Sequence, residues 1–587
     1  MSQQVPGQAE KPEIKANNRS NAAVAAFLLF FLLNGLKLAL FNFYLLPEPT
    51  AEVFVYKLML TLLSIAVVYP LLYKACSRVA LAFIYILQSL YILVYMGYYF
   101  YFRSYLNVLQ WVSLLREAVS VAGNAAVPLD IRMLVVLMDL PCFVYILAVC
   151  KGPGRRHVRL GRTVWALMLA SILAIAAIEG LNHTRGSSLF QLVDDTYSGE
   201  SPIIERYGTI TAGMLNLSRY GSNEALAGEL QYGKEQSFET VREAAADTYF
   251  KSAPNYILIQ VESLDANIVN QTYKGLYVTP FLHSLTTESI YYPYALSYHK
   301  GGGTSDSEFS VLNSMEPLNC YPALKLSNYS YPNSVAACMK EASYTTLAFH
   351  GNTGSFYNRD VAYPKLGFAN FYDMDKMGLP EIGWGVPDHE VFNFAFERLG
   401  AATGPFFASI ITMTSHEPYD SARNYYSNSL YDNMEKGMLK EYYNAMSYVD
   451  QSLQEFIGKV TASFKNTYII IYGDHTPGIH SPGYSQAAFM LEGRYFEFVP
   501  VMILTPDGRT HKETEKAASF LDIAPTVLKT SGISFHFKSD GADLTEKASL
   551  SGSLPFKGGR YDKSMLFKKA SQTAAARGGP RSLPSEY

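Results

Sequence analysis

Five long apolar runs lie in the first 185 residues, and they constrain the fold more than any other feature of the sequence. Each run is close to the roughly 20 residues that a helix needs to cross a bilayer. Tyrosine and tryptophan cluster at several of their ends, as they do where helices meet the membrane interface. The runs are Ala22–Leu46, Val53–Tyr73, Val79–Phe102, Ile131–Cys150 and Thr163–Leu181. The sequence therefore predicts a short N-terminal segment, residues 1–21, followed by a five-helix membrane domain over residues 22–181.

Basic residues between the runs predict how these helices are oriented. They precede the first run and lie between the second and third and between the fourth and fifth: Lys11, Lys15, Arg19, Lys74, Arg78, Lys151, Arg155, Arg156, Arg159 and Arg162. The loop between the first and second runs carries Glu48 and Glu52 instead. Because cytoplasmic loops are enriched in Lys and Arg, we expect a multi-pass cell-membrane protein with a cytoplasmic N-terminus. Everything after the fifth helix would then be extracellular.

Two segments of this half are less regular. Lys37 lies inside the first run, where a charge is costly at mid-bilayer. Contact with a lipid headgroup is one alternative, but we expect Lys37 to snorkel to the interface. The segment Arg103–Asp130 is amphipathic. It is compatible with a helix lying on the outer membrane surface or with a plain connecting loop.

Composition excludes one class of partner and leaves a redox question open. The net charge is only -3, so no bulk attraction to nucleic acid is expected. The mean hydropathy of +0.04 is high for a soluble protein, and the apolar excess lies in the first 185 residues. Of the five cysteines, Cys320 and Cys338 are the only pair in the later half. A disulfide and two free thiols are both compatible with that spacing.

Beyond the membrane half the pattern changes three times. Residues 182–250 are polar and charged without a sustained period, which indicates a juxtamembrane linker with short helices. Within them, Ala225-Leu226-Ala227 resembles a small-residue cleavage site. Residues 251–548 form the predicted outer domain. Residues 549–587 are rich in Gly, Ser, Lys and Arg, and we predict a disordered tail there.

The outer domain alternates short apolar runs with helical segments, which is typical of an α/β fold with a mostly parallel sheet. The predicted strands are Tyr256–Val261, Thr345–Phe349, Phe406–Thr412, Tyr468–Tyr472 and Val499–Leu504. The predicted helices are Val278–Thr287, Asp388–Leu399, Leu439–Gly458 and Ser519–Thr530. Ligands of such sheets bind beyond the carboxyl ends of the strands. Polar residues follow four of these strands, namely Glu262, His350, His416 and the pair Asp474-His475.

The stretch from Lys300 to Glu308 contains the candidate nucleophile. Three consecutive glycines let the backbone approach a ligand, and Thr304 follows them where a helix is predicted to begin. Free backbone N–H groups at a helix N-terminus favour an anion there. An ordinary glycine loop capped by Thr304, Ser305 or Asp306 is the simpler alternative.

The strand-end residues indicate a metal site beside Thr304. Glu262, Asp474 and His475 offer oxygen and nitrogen ligands that suit Mn²⁺, Mg²⁺ or Zn²⁺. A metal next to Thr304 would lower the pKa of its hydroxyl and let it attack phosphorus.

Several motifs in this order resemble the lipoteichoic acid synthase family. They are Val261-Glu262-Ser263-Leu264, Thr279-Pro280-Phe281-Leu282, Gly303-Thr304-Ser305-Asp306-Ser307-Glu308-Phe309, Phe349-His350-Gly351, Asn358-Arg359, Ser415-His416 and Tyr472-Gly473-Asp474-His475. Members of that family are membrane phosphoglycerol transferases of Gram-positive bacteria with an alkaline phosphatase/sulfatase-like outer domain.

The resemblance implies a role for each matching residue. Glu262, Thr304, Asp474 and His475 match metal ligands, usually for Mn²⁺, and Thr304 matches the nucleophile. Four residues match or adjoin positions that hold the glycerophosphate: His350, Tyr357, Arg359 and His416. We further expect His416 to serve in proton transfer. Thr304 would attack phosphatidylglycerol and release diacylglycerol, and a glycolipid or polyglycerolphosphate acceptor would then take the glycerophosphate in lipoteichoic acid synthesis.

Two departures from the family pattern and three other functions remain. The chain has Tyr357 where Trp is frequent, and Thr476-Pro477-Gly478 where Tyr-Gly is more usual. These leave open whether the chain elongates a polymer or primes one. A phosphoethanolamine transferase would share the helices, the threonine and the metal. A sulfatase-fold hydrolase and a non-catalytic membrane sensor are further alternatives.

Overall fold

The structure is a computed structural model that describes most of the chain. The described residues are 12–46, 50–75, 77–102, 105–106, 130–149, 162–185, 188–189, 201–219, 227–228, 230, 235–237, 253–318, 321–326, 328–420, 428–479, 481, 483–492, 494–533, 535–546 and 552–575. Those up to residue 217 belong to one compact unit, and those from residue 218 onward belong to a second. Most of the segment Arg103–Asp130, Cys320, and Ala225-Leu226 of the cleavage-like tripeptide lie outside the described residues.

The first unit is built from long apolar helices. In chain order they are α1 (Pro12–Tyr44), α2 (Ala51–Ala75), α3 (Arg78–Phe102), a 3-10 helix (Ile131–Leu137) followed by α4 (Leu140–Val149), and α5 (Arg162–Thr184). Within the described residues, four segments are long and apolar enough to cross a membrane: Ala51–Leu72, Val79–Phe100, Ile131–Ala148 and Val164–Thr184. In α1 the apolar part, Leu28–Tyr44, is shorter. The predicted count of five is therefore approximate.

Lys37 does not snorkel, and this expectation was wrong. Its side chain is fully buried, and its Nζ lies 2.8 Å from Asp139 at the joint between the 3-10 helix and α4. Asn34 and Tyr85 also donate hydrogen bonds to the Asp139 carboxylate. A carboxylate within reach in the helix bundle satisfies the ammonium group without a path to the interface.

Two short helices follow α5 in the segment interpreted as a linker. They are α6 (Ser201–Tyr207) and α7 (Thr209–Arg219), and Gly208 joins them with a φ of +88°. A Cβ at Gly208 would lie 2.6 Å from Asn42 Oδ1, so only glycine permits this close approach. Thr209 N donates to the same Asn42 oxygen, and Lys57 Nζ donates to Ile204 O. These bonds hold the two helices to α1 and α2.

The second unit contains a ten-stranded sheet. Its strands are β2 (Asn255–Val261), β5 (Ile290–Leu296), β6 (Thr345–His350), β7 (Asn370–Tyr372), β8 (Phe406–Ile411), β9 (Thr467–Gly473), β10 (Ala488–Leu491), β11 (Arg494–Leu504), β12 (His511–Lys512) and β13 (Ala518–Ser519). Their order is β12-β5-β11-β9-β2-β8-β6-β7, with β10 paired to β11 and β13 to β5. Two-stranded pairs are β1 (Glu235–Ser237) with β14 (His536–Lys538), β3 (Thr272–Tyr273) with β4 (Leu276–Tyr277), and β15 (Ser553–Phe556) with β16 (Gly559–Asp562). Strands β9, β2, β8, β6 and β7 are parallel, whereas β11 runs antiparallel to both neighbours. The predicted α/β class is confirmed.

Helices cover both faces of this sheet. They are α8 (Pro280–Glu288), α9 (Thr304–Asn313), α10 (Val335–Glu341), α11 (Arg359–Leu366), α12 (Met374–Met377), α13 (Asp388–Gly400), α14 (Met438–Ser463), α15 (Ile523–Ser531) and α16 (Lys563–Ala575). Strand β2 is buried on both sides, because Leu258 packs into one core cluster and its neighbours Ile257 and Ile259 into the other. A strand covered on both faces is a continuous apolar run, which is why the sequence pattern located the sheet correctly.

The predicted disordered tail is wrong for residues 552–575. They form the β15–β16 hairpin and α16, and Leu554, Phe556, Leu566 and Ala570 are buried in the main core. These apolar residues are spaced by two in the strand and by four in the helix, so each set faces one side. The polar residues between them concealed this short pattern. Residues 576–587 lie outside the described part of the chain.

Candidate active site

Two carboxylates lie side by side where neighbouring parallel strands end. Val261, the last residue of β2, pairs with Gly473, the last residue of β9. The next residues in each strand are Glu262 and Asp474, and both are buried. Gly473 is required here, because a Cβ on it would lie 1.9 Å from Leu264 O. The parallel register therefore creates the close pair of acids.

The four residues predicted from the sequence meet at this point. Thr304 Oγ1 donates a hydrogen bond of 3.0 Å to Glu262 Oε2. His475 Nε2 lies 3.2 Å from Glu262 Oε1 and 3.5 Å from Asp474 Oδ2. One ligand atom each of Glu262, Asp474 and His475 lies within 4.8 Å of the others. Thr304 thus touches a compact group of oxygen and nitrogen donors.

The donor group fits a divalent metal ion. Asp474 Oδ1 accepts hydrogen bonds from the N–H groups of Ser263 and His475, while its buried Oδ2 accepts none from the described residues. His475 Nδ1 faces the Thr476 carbonyl at 2.9 Å, which leaves Nε2 toward the carboxylates. An imidazole oriented in this way is typical of a metal ligand.

The electrostatics of the group also favour a cation. Burial and the Glu262 carboxylate raise the pKa of Asp474 well above its usual range. For Glu262, burial opposes ionisation, but the nearby His475 holds its pKa well below the usual range. Two buried carboxylates therefore compete for one imidazolium, and a divalent ion would let both stay ionised.

A carboxylate that the sequence reasoning treated only as a helix cap arranges the nucleophile loop. Asp306 Oδ2 accepts hydrogen bonds from Lys300 N at 3.0 Å and Gly302 N at 2.8 Å. Gly303 takes a φ of +55°, and the chain then enters α9 at Thr304. Because Asp306 holds the loop, the Thr304 hydroxyl does not cap the helix and is available to Glu262. Burial raises the pKa of Asp306 to about 8.

Arg359 is engaged by a residue to which the sequence analysis gave no role. Its guanidinium is buried and binds Glu308 through Nε at 3.0 Å and Nη2 at 2.5 Å, and Tyr363 also donates to that carboxylate. Its Nη1 has a longer contact of 3.4 Å to Phe356 O. The Tyr357 ring lies 5.2 Å from the Arg359 Cζ atom. Glu308 therefore neutralises Arg359 on its Nε–Nη2 edge, whereas the Nη1 edge makes a longer contact.

Tyr357 and Asn358 form a strained turn next to the nucleophile loop. Both have positive φ values, 55° and 60°, which few residues with a side chain adopt. A Cβ on Gly303 would lie 3.0 Å from the Tyr357 hydroxyl, so this phenol approaches the backbone just before Thr304. Strain of this kind clusters at functional sites.

The two histidines predicted to hold substrate differ in their exposure. His350 is buried, its Nδ1 lies 3.4 Å from Ile411 O, and burial together with Arg359 lowers its pKa well below the usual range. His416 is partly exposed, with Nδ1 2.7 Å from Glu417 O and its ring 4.8 Å from that of Trp384. Glu262 and His416 both contribute to the electrostatic environment of His350. His350 is therefore neutral, and His416 is accessible.

The loop carrying His416 is held by an acid that the sequence reasoning missed. Asp388, at the start of α13, accepts hydrogen bonds from Met413 N at 2.7 Å and Thr414 N at 3.1 Å. Burial raises its pKa to about 7. An Asp at the first position of a predicted helix was the available signal, but it indicated only a cap.

Comparison with known proteins addresses the family and the fold. A family model described as Sulfatase matches residues 254–533. The lipoteichoic acid synthase-like YvgJ of Bacillus subtilis is 27% identical over 297 residues, which cover 48% of this chain and 47% of that protein. The lipoteichoic acid synthase of Staphylococcus saprophyticus is 30% identical over 353 residues, covering 57% and 53%.

A solved structure shows the same fold over most of the chain. It is the integral membrane protein lipooligosaccharide phosphoethanolamine transferase A (EptA) from Neisseria meningitidis, with a TM-score of 0.57 and 15% identity. The likeness covers 86% of this chain and 95% of that one. The matches to the curated relatives span about half of the length of those proteins. Residues 254–533 therefore match the Sulfatase model within an α/β sulfatase-like domain, and the chain is similar to lipoteichoic acid synthases over about half of its length.

Proposed function

We propose that the chain is a metal-dependent phosphoglycerol transferase of lipoteichoic acid synthesis. Phosphatidylglycerol would be the donor, and a glycolipid or a polyglycerolphosphate chain the acceptor. The observation that carries this proposal is the 3.0 Å hydrogen bond from Thr304 Oγ1 to Glu262, inside the buried group of Glu262, Asp474 and His475. The names of the similar synthases support the same assignment.

The residues of this group have distinct tasks. Glu262, Asp474, His475 and Thr304 would hold a divalent ion, which we propose is Mn²⁺ rather than Mg²⁺ or Zn²⁺. Such an ion would lower the pKa of the Thr304 hydroxyl and offset negative charge on the phosphate. Glu262 orients the Thr304 hydroxyl, and Gly303 lets the backbone approach the phosphate without a side chain in the way.

The reaction has two balanced steps. In the first, Thr304 Oγ1 forms a bond to phosphorus while the bond from phosphorus to the diacylglycerol oxygen breaks. The hydroxyl proton of Thr304 is released to solvent, and protonated His416 gives a proton to the diacylglycerol oxygen. In the second, His416 takes the proton of the acceptor hydroxyl, which attacks phosphorus, while the bond from phosphorus to Thr304 Oγ1 breaks and Thr304 takes a proton from solvent.

Four residues would hold the glycerophosphate. The Nη1 edge of Arg359, which Glu308 leaves free, can donate to a phosphate oxygen. Tyr357 and His350 lie beside Arg359 and offer further polar groups, and His416 lies on the accessible side. The proposed substrate site thus combines the Arg359 guanidinium with the polar groups of Tyr357, His350 and His416.

Turnover of a fluorescent lipid tests this function. The full chain in detergent is incubated with fluorescent phosphatidylglycerol and Mn²⁺, and diacylglycerol is separated and quantified. We expect release by the wild type, loss of at least about 10³-fold in Thr304→Ala, and a glycerophosphate adduct on the Thr304 peptide by mass spectrometry.

Two outcomes would change the assignment. Release that persists in Thr304→Ala overturns the nucleophile. Release from phosphatidylethanolamine but not from phosphatidylglycerol replaces the proposed activity with phosphoethanolamine transfer, the alternative left open by the sequence.

We also propose that the N-terminus is cytoplasmic and the sulfatase domain extracellular. The basic loops support this orientation. Single cysteines placed in a cysteine-free background test it with a membrane-impermeant thiol reagent on intact cells. Labelling is expected at exposed Lys512 replaced by Cys and not at a cysteine replacing Lys11. The reverse pattern contradicts the orientation.

A further inference from the structure

One buried carboxylate that is not among the candidate metal ligands contacts two loops of the candidate site, the loop after β9 and the loop after β5. Glu497 lies in β11, between β9 and β5 in the sheet, and is 7% exposed. Its Oε1 accepts hydrogen bonds from Thr476 Oγ1 at 2.6 Å and Thr476 N at 3.3 Å. Its Oε2 lies 2.9 Å from His299 Nδ1. One side chain therefore connects the end of β9 to the end of β5.

Both contact residues, Thr476 and His299, also contact His475. Thr476 follows His475 directly, and its carbonyl faces His475 Nδ1 at 2.9 Å. His299 precedes the glycine loop that leads to Thr304, and its ring stacks on that of His475 with centroids 4.5 Å apart and an interplanar angle of 21°. The imidazole of His475 is thus held on its Nδ1 side and on one face.

The backbone reinforces the same connection. Ser297 N donates to Glu497 O at 3.0 Å, and Ser297 Oγ donates to Asp474 O at 2.7 Å. Ser307 Oγ, in α9, donates to the same Asp474 carbonyl at 2.8 Å. Hydrogen bonds near Glu497 therefore connect three parts of the site: the segment before Thr304, helix α9 and the Asp474-His475 pair.

We propose that Glu497 is a positioning residue for the metal site. Through Thr476 and His299 it sets the orientation of the His475 imidazole and its separation from Thr304. Thr476 is one of the two departures from the family pattern, and its hydroxyl supplies the shortest bond in this connection. The inference rests on the proposed function, because it assumes that Glu262, Asp474 and His475 bind a cation.

Metal affinity, rather than turnover, is the first readout. The full chain is titrated with Mn²⁺ alone, and bound and free ion are measured by electron paramagnetic resonance. In Glu497→Gln, the amide oxygen can still accept from Thr476, and an NH2 group replaces Oε2 beside His299 Nδ1, so this position can no longer accept a hydrogen bond from a proton-bearing Nδ1. In Thr476→Val, the hydrogen bond from the Thr476 hydroxyl to Glu497 Oε1 is lost. We expect the Kd for Mn²⁺ to rise about 10–100-fold in each, with a changed spectrum of the bound ion.

A matched control separates positioning from the loss of a buried charge. Glu513 is 8% exposed and accepts hydrogen bonds only from the N–H groups of its own turn, Thr514, Glu515 and Lys516, among the described residues. Glu513→Gln is expected to leave the Kd within about twofold of wild type. Thermal unfolding of every variant identifies any that fails to fold. If Glu497→Gln fails to fold, Thr476→Val still provides the test.

The outcomes distinguish this inference from the function on which it rests. A wild-type chain that binds none of Mn²⁺, Mg²⁺ and Zn²⁺ overturns the metal-dependent function and the positioning role with it. A wild type that binds Mn²⁺, together with Glu497→Gln and Thr476→Val variants that bind it equally well, overturns the positioning role alone. A rise in Kd in Glu513→Gln equal to that in Glu497→Gln also overturns it.

Discussion

At the scale of residues, the site is defined by how each polar atom is satisfied. The backbone N–H groups of Ser263 and His475 both bind one oxygen of Asp474 and leave the other buried without a donor among the described residues. Buried polar atoms are normally paired, so a carboxylate oxygen that receives no hydrogen bond from the described residues and lies 3.5 Å from His475 Nε2 is suited to bind a cation. The sequence indicated these residues but could not show which oxygen of Asp474 would receive no hydrogen bond.

Replacing Asp474 tests this reading of the carboxylate pair. Asp474→Asn keeps an oxygen for the two N–H donors and removes one negative charge from the buried pair. Without metal, we expect the variant to be more stable than wild type by roughly 1 kcal/mol, the scale of one pKa unit. Mn²⁺ at 100 times its Kd should stabilise the wild type by about 2.7 kcal/mol and the variant hardly at all.

Thermal unfolding in EDTA and in Mn²⁺ measures both quantities. Glu513→Gln, away from the carboxylate pair, is the control and should keep the full response to Mn²⁺. An Asp474→Asn variant that Mn²⁺ stabilises as much as wild type would show that Asp474 is not a ligand.

Removing the partner of Arg359 is a second test at this scale. Arg359 and Glu308 are 1% and 2% exposed, and their guanidinium and carboxylate bind each other at two points. Glu308→Gln leaves an uncompensated buried charge, so we expect a loss of about 3–5 kcal/mol in the free energy of unfolding. The exposed pair Arg509 and Asp507 is the control, and Asp507→Asn should change stability by less than about 1 kcal/mol. Denaturant unfolding showing equal losses for the two variants would contradict the prediction.

At the scale of elements, the strand ends create the site. The parallel pairing of β2 with β9 aligns Val261 with Gly473, and that register alone brings Glu262 next to Asp474. The sequence predicted both strands but not that they are neighbours, since several strand orders fit the same alternation of strands and helices. The antiparallel β11 carries Glu497 between the two loops, and its direction was also not predicted.

Alanine at Gly473 should disrupt this junction. The added Cβ would lie 1.9 Å from Leu264 O, which is backbone and cannot rotate away. We expect a loss of about 1–3 kcal/mol, typical of overpacking, together with weaker Mn²⁺ binding because Asp474 moves away from Glu262.

Gly458 provides the control for that substitution. It lies within α14, and a Cβ there would meet nothing within 4 Å. Gly458→Ala should therefore stabilise the protein by about 0.5–1 kcal/mol through its helix propensity. Denaturant unfolding measures both variants, and a Gly473→Ala variant as stable as wild type with unchanged Mn²⁺ affinity would disprove the prediction.

At the scale of the whole molecule, buried polar contacts organise the apolar helices of the first unit as well as the α/β domain of the second. Lys37 of α1 and Asp139, just before α4, are both fully buried and 2.8 Å apart. Tyr69 of α2 and Gln88 of α3 contact Asn34, which binds the same Asp139. One network therefore connects α1, α2, α3 and the start of α4.

Single and paired substitutions test whether this ion pair holds the helices together. Lys37→Met or Asp139→Leu alone leaves a buried charge, and we expect a loss of about 3–5 kcal/mol. The double variant has no charge to compensate and should recover most of that loss. Heating in detergent followed by size-exclusion chromatography measures the folded fraction. Single variants that survive heating as well as the double variant would contradict the prediction.

The errors of the sequence analysis share one cause. The disordered tail was predicted from composition, yet Leu566 and Ala570 are buried against the core formed by residues far away in the chain. Snorkelling of Lys37 was predicted from one helix, yet its partner is 102 positions away. The ion pair between Arg359 and Glu308 was not predicted, because neither residue gives a local sign of the other. In each case the deciding contact was not local.

By itself, the sequence determined the apolar helices, the buried strands and the identities of Glu262, Thr304, Asp474 and His475, because length, periodicity and motifs are local properties. Only the tertiary structure decided which strands are adjacent, which oxygen of Asp474 receives the backbone hydrogen bonds and which residues Glu497 connects. Thr304 and Glu262 are 42 positions apart, and Ser263 and Asp474 are 211 apart. Contacts over such separations depend on the packing of the whole sheet, which no short segment encodes.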